Sequence, residues 1–172
     1  LRDDAYLIDL VGDDPEDLAK RATVAASSWL SGREPEQVTN GVTRRTRGAE
    51  NLWASEGELP QRLWLNWPNP IAAGLVELTL DTGLHRELRL SMSEAVAARS
   101  VRGPQPETLR DFDVRFFLGE RQVAERLVRG NRQRKLRLKL DAPVRCDRIE
   151  VVALAAWEVK QARVFEVRVY PG

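Results

Sequence analysis

Residues 25–55 read AASSWLSGREPEQVTNGVTRRTRGAENLWAS. The stretch opens on a small-residue strand end (Ala25, Ala26, Ser27, Ser28) and passes Gly32 and Pro35. It then turns at Thr39-Asn40-Gly41 and closes on Asn51-Leu52-Trp53-Ala54-Ser55. An irregular connection this long inside a compact domain is uncommon, and where one occurs it tends to carry function. The flanking sequence says what kind of scaffold holds it.

Downstream, strand signals dominate. Leu63, Leu65 and Trp67 alternate with Arg62, Trp64 and Asn66, the period-2 pattern of a half-buried strand. Pro68-Asn69-Pro70 reads as a turn, which makes 62–67 and 71–80 antiparallel neighbours. Further strands are expected at 111–118, at 122–128 after a Gly119-Glu120 turn, and at 148–155. The last is expected at 163–170, with Phe165, Val167 and Val169 on one face. At 135–140, Leu136, Leu138 and Leu140 alternate strictly with Lys135, Arg137 and Lys139. Residues 82–110 form a second long connection holding the sole histidine, His85, a short strand at 88–92 and a Gly103-Pro104-Gln105-Pro106 breaker.

Upstream, 22–28 is β-compatible, and residues 14–20 read as a turn or two of helix, with Asp14 at the N-cap and Pro15 at the first helical position. About eight strands, Gly/Pro/Asn turns and almost no helix predict an all-β fold, an antiparallel β-sandwich of jelly-roll type. The expected division is a lead-in from a preceding domain at 1–20, with its short helical stretch, and a sandwich at 21–172.

Charge is nearly balanced, 27 basic against 26 acidic residues, so the chain as a whole is not biased toward nucleic acid or a membrane surface. The local basic run RGNRQRKLRLKL at 129–140 contains no aromatic residue for base stacking, and its alternation fits the outer face of a surface strand; no nucleic-acid partner is expected. Cys146 is the only cysteine, which excludes an internal disulfide and a cysteine-based zinc site. No apolar run approaches the ~20 residues that span a bilayer, so no membrane partner is expected. The first residues, LRDDAYLIDL, lack a signal-peptide pattern and an initiator Met, and the chain reads as a soluble piece of a longer protein whose localisation this end does not reveal.

The order of these features resembles the discoidin, or coagulation-factor type C, domains, whose fold is the galactose-binding-like jelly roll. The residues that carry the resemblance are Ala26-Ser27-Ser28, Val38-Thr39-Asn40-Gly41, Leu52-Trp53-Ala54-Ser55, Leu63-Trp64-Leu65 and Phe165-Glu166-Val167-Arg168-Val169-Tyr170, covering about 22–170. Three further runs look like the C-terminal module of certain bacterial FAD-dependent oxidoreductases: 13–19, 80–84 and 106–111. That resemblance implies an upstream catalytic domain holding FAD. The glycines of this chain never form G-x-G-x-x-G, so no dinucleotide site is expected within it.

No catalytic constellation is legible. His85 stands without a G-x-S-x-G elbow or a cysteine partner, and no spacing selects two carboxylates. The resemblance instead implies a carbohydrate or similar polar ligand bound on loops at one end of the sandwich. If the first and last strands pair antiparallel, the loops after Ser28 and before Ala162 share an end and bring Trp29 and Trp157 together, with His85 and Arg86 as hydrogen-bonding partners if their loop reaches there. The opposing reading folds both indoles over the loops as satellite core. Trp53, at a position that points inward in the family, is expected in the core.

Period 2 turns Trp64 outward beside Arg62, which suggests a domain or subunit interface, or a tryptophan shielded by the lead-in. The resemblance also implies a structural Ca²⁺ held by the Asn40 position, a hydroxyl (Thr43) and Glu166. Asn40 stands where the family has Asp, which removes a charge that calcium favours, and an Asx turn is the other reading of Asn40.

Overall fold

A computed structural model of the chain describes residues 14–84, 86, 95, 101 and 103–172. The expected strand at 88–92 and the candidate His85 lie outside the described residues. In chain order the strands are β1 (Thr23–Ala26), β2 (Trp53–Ala54), β3 (Gln61–Leu80), β4 (Leu109–Leu118), β5 (Arg121–Val128), β6 (Lys135–Ala156) and β7 (Arg163–Tyr170).

Two of them set the architecture. β3 and β6 are 20 and 22 residues long, far beyond an ordinary strand, and they pair antiparallel with each other along both halves. Each bends in the middle and passes from one layer of the sandwich to the other. One layer holds β1, the first half of β3, the second half of β6, β4 and β5; the other holds β2, β7, the second half of β3 and the first half of β6. The same edge of β3 therefore pairs with β1 at 63–66 and with β7 at 75–80. One core fills the space between the layers, with Leu63, Leu65, Phe112, Val114, Phe116, Leu78, Ile149, Val151 and Val167 all fully buried, while Phe165, expected on the same face as Val167 and Val169, packs instead with Leu52 and Ala54 because the register slips opposite Leu80. Each such side chain contributes about 1.5–3 kcal/mol over leaving it in water.

The bend in β3 corrects a sequence expectation. Pro68-Asn69-Pro70 does not separate two paired neighbours: 62–67 and 71–80 belong to one strand. The two prolines have no N–H to donate, so the ladder to β6 lapses between Asn66 and Ile71 while the chain carries on into the second layer. A second lapse falls between Ala73 and Leu75. A Cβ on Gly74 would stand 2.3 Å from the Cα of Gly172, so the C-terminus closes over this bend only because residue 74 has no side chain.

The helical lead-in is one turn of 3-10 helix at Leu18–Arg21, capped by Asp17 and not by Asp14. Asp17 wins because it is buried: its Oδ1 accepts from the N–H of Ala19 and of Val169 on β7, each at 3.0 Å. Asp14 instead accepts from the Tyr170 hydroxyl at 2.8 Å, and Trp67 donates its indole N–H to the Leu18 carbonyl at 2.9 Å. Residues 14–21 are thus pinned to the sandwich at the end where β3 bends. Among the described residues no helix is long and apolar enough to cross a membrane.

Because β3 and β6 are both bent double, all four of their termini lie at the opposite end. There the loops 27–52, 55–60, 129–134 and 157–162 gather with the described ends of the 81–108 connection, and their main chains bond to one another. Leu59 N–H donates to Lys160 O (2.8 Å), Ser55 N–H to Ala162 O (3.0 Å), Asn131 N–H to Arg110 O (2.9 Å) and Trp157 N–H to Thr108 O (3.3 Å).

Candidate functional site

The loop end is built on buried polar anchors. Trp53 is fully buried, as expected, and its indole N–H donates to Ser28 O at 2.9 Å. Ser28 Oγ accepts from Gly57 N–H and donates to Gln61 Oε1, and Leu30 N–H donates to Ala54 O. Trp29, between these two locked neighbours, leaves 47% of its surface exposed and makes no hydrogen bond of its own among the described residues. Farther along, Asn51 adopts a left-handed conformation (φ 51°) that Asn tolerates better than most residues. From there its side chain holds the 40–46 loop, donating to Arg44 O and Thr46 Oγ1 and accepting from Asn40 Nδ2.

Beside this loop lies a cleft of about 320 Å³ lined by Arg44, Arg45, Asp81, Leu84, Arg134 and Phe165. Asp81, 1% exposed, spends Oδ1 on Gly83 N–H. Its Oδ2 faces Arg163 at 3.6 Å and Arg45 at 3.8 Å, close enough for ion pairing but beyond hydrogen-bond reach. Arg45 and Arg33 share Glu50, each at 3.2 Å. Arg134 lies over the Phe165 ring, 4.9 Å from its centre, and donates to the carbonyls of Leu80 and Thr43. Burial pushes the Arg134 guanidinium below its ordinary pKa, with Asp81 acting in the other direction. Of these residues Phe165, Asp81 and Leu84 stand in runs quoted above and the arginines do not, and the four elements that supply them are remote in the chain. The Arg44-Arg45 pair just after the Asn40-Gly41 turn is the one local signal that points to the cleft.

Among the described residues no hydrogen bond joins Trp29, Trp157 and Arg86 to one another. Trp29 and Trp157 reach the same end of the sandwich, but not through pairing of the first and last strands: β1 pairs with β3, and the loops meet through Ser28, Gly57, Leu59 and Lys160. Trp157 is fixed by its indole N–H, which donates to Asn131 O at 2.7 Å, and two guanidiniums, Arg110 and Arg132, lie over its ring at 5.7 and 5.5 Å. Arg86 is engaged by Glu107 and Gln105.

Trp64 faces outward, half-buried, as period 2 requires. Its indole N–H and Arg62 Nη1 both reach Glu150 Oε1 at 3.0 Å. Trp64, Arg62, Phe117 and Arg148 line a shallow groove of about 450 Å³ on that face. The described part of the lead-in packs elsewhere, on Trp67 and Tyr170. The basic strand face of β6 is matched by acids, with Lys135 and Arg137 both on Glu77.

Protein groups already engage the surroundings of the three residues proposed for calcium. Asn40 Oδ1 accepts from Val42 N–H at 2.8 Å, the Asx turn that was the other reading of this residue. The Thr43 carbonyl is taken by the Arg134 guanidinium, and Glu166, the one carboxylate of the set, is paired with Arg168 at 2.8 Å. Calcium takes six to eight oxygens and gains from carboxylate charge, whereas here an arginine supplies the positive charge beside the loop. Among the described residues no group of three or more acidic, histidine or cysteine side chains comes together.

No family model matches the chain, and no curated protein does. Solved structures do match in fold. The family 32 carbohydrate-binding module of NanJ from C. perfringens, in complex with galactose, is 16% identical with a TM-score of 0.62, over 88% of this chain and 95% of that one. The lectin domain of lectinolysin, complexed with Lewis B antigen, is 16% identical with a TM-score of 0.67, over 93% and 99%. A fucose-binding module from Streptococcus pneumoniae is 15% identical with a TM-score of 0.66, over 93% and 99%. The chain is an antiparallel β-sandwich of the galactose-binding-like kind.

Proposed function

We propose that this chain is a non-catalytic module that binds carbohydrate at its loop end, with Trp29 as the stacking platform. The observation that carries this reading is the exposed Trp29 ring on a backbone held on both sides by Ser28 and Leu30. An indole face offers apolar area to the C–H face of a sugar ring, and a locked loop lets it bind without an ordering cost. Structures of the same fold that hold galactose and Lewis B antigen, and that of a fucose-binding module, support it. Trp157 and Arg86 keep the neighbouring loops in place. Retention of the wild-type chain on a panel of immobilised glycans, and its loss in Trp29→Ala, tests this reading; a wild-type chain that binds no glycan rules it out.

The attachment to an upstream FAD-dependent oxidoreductase rests on the sequence runs at 13–19, 80–84 and 106–111 alone, and a dinucleotide fingerprint ahead of Leu1 is its test. A second reading, a structural module that packs on its parent enzyme, is favoured by the Trp64 groove, where two aromatic side chains meet on an outer sheet face. Trp64→Ala then changes the sedimentation of the full-length protein and leaves glycan retention intact.

A further inference from the structure

Charge around the cleft beside Arg44 is unbalanced. Among the described residues, five guanidiniums (Arg33, Arg44, Arg45, Arg134 and Arg163) stand against two carboxylates, Glu50 and Asp81. Glu50 is shared by Arg33 and Arg45, and Asp81 by Arg45 and Arg163. Arg44 and Arg134 have no carboxylate within ion-pairing distance among the described residues. Arg134 is also half-buried, where an unneutralised charge is costly, and its hydrogen bonds run only to neutral oxygens: Leu80 O, Thr43 O and, at 3.5 Å, Thr82 Oγ1. A cleft walled by one sign of charge concentrates the field and draws the opposite sign.

The remaining groups argue against a bare anion. Asp81, buried at the cleft, holds a negative charge that repels a naked carboxylate or sulfate. Leu84, 67% exposed, gives the cleft an apolar rim. A ligand that suits these groups carries an acid group for the arginines on a larger body with an apolar ring face for Leu84.

We propose that this cleft receives the acid group of a saccharide, a carboxylate or a sulfate ester, so that the module selects acidic sugars over neutral ones. This rests on the carbohydrate-binding reading above and names the ligand class within it. The fork of an arginine suits a planar carboxylate or a sulfate face, and Arg44 is the member free to close on it.

Calorimetric titration of the chain with galactose, galacturonate, galactose 6-sulfate and inorganic sulfate at matched ionic strength tests the assignment. The expected result is that both acidic sugars bind at least tenfold more tightly than galactose and that added salt narrows the gap. In Arg44→Gln the acid-to-neutral ratio falls toward one, with the melting temperature unchanged. An unaltered ratio in Arg44→Gln overturns the proposal, and so does inorganic sulfate binding as well as the sulfated sugar. Galactose bound as tightly as the acidic sugars overturns this inference and leaves the carbohydrate-binding reading standing; no binding of any sugar, neutral or acidic, removes both.

Discussion

Arg86 and Glu107 meet end to end, with Nη1 2.5 Å from Oε1 and Nη2 2.6 Å from Oε2. The pair joins the beginning of the 81–108 connection to its end, next to the Thr108 hydroxyl that donates to Asp81 O. The guanidinium holds the Glu107 carboxyl down at about 2, below its ordinary 4.5. A carboxylate with a depressed folded pKa adds stability above its unfolded pKa and loses it as pH falls toward the folded one. Melts taken from pH 6 downward should therefore lose this increment between about pH 4.5 and pH 2. Glu107→Gln should melt lower at pH 6 and show a flatter profile through that window. Parallel curves for the two proteins would mean that the clamp does not contribute.

Trp29 and Trp157 are both tryptophans at the loop end, yet they should respond differently to truncation. Trp29→Ala removes an exposed ring, so its effect on stability should stay within about 0.5 kcal/mol. Trp157→Ala leaves Asn131 O without its donor and strips the ring from under two guanidiniums, a loss of about 1–3 kcal/mol. Chemical denaturation separates them: equal midpoints for the two variants would contradict the packing described for Trp157.

Calcium and EDTA should leave the melting temperature where it is, since the Arg134 guanidinium sits on the Thr43 carbonyl and Asn40 Oδ1 is already bonded to Val42. A rise in melting temperature on adding calcium that EDTA reverses would show that the loop rearranges to take the ion.

Cys146 lies fully buried in β6, and desolvation, with Asp147 nearby, pushes its thiol up to about 11. The thiolate is the reactive form, so native protein should stay silent toward a thiol-titrating disulfide reagent at pH 8 and release one equivalent on denaturation. Prompt reaction of the native protein would place the thiol at the surface.

The sandwich was legible wherever one face is buried and the other wet. Residues 63–67 showed their core face by alternation, and the same rule turned Trp64 outward and put Val167 and Val169 in the core, though a register slip opposite Leu80 leaves Phe165 in a separate cluster with Leu52 and Ala54. It failed at Pro68-Asn69-Pro70, because proline punctuation looks the same whether the chain reverses beside itself or bends into another layer; that choice depends on which strands cover the edges of β3. The cleft was not legible for a different reason. Arg44, Asp81, Arg134 and Phe165 come from four separate connections and strand ends, so no spacing in the sequence relates them. Side-chain type alone marked Trp29 and Trp157 as equals, and only their hydrogen bonds and exposure tell them apart.

The doubling back of β3 and β6 also constrains how the domain comes apart. In a sandwich whose layers share only loops, one layer can open while the other persists. Here the two longest ladders cross the boundary, so parting the layers means tearing hydrogen bonds out of β3 and β6 themselves. Four of the five loops at the far end, all but 27–52, adjoin those same strand termini. Loss of structure in this domain should consequently be all-or-none, with the loop end and the scaffold disappearing in a single cooperative step.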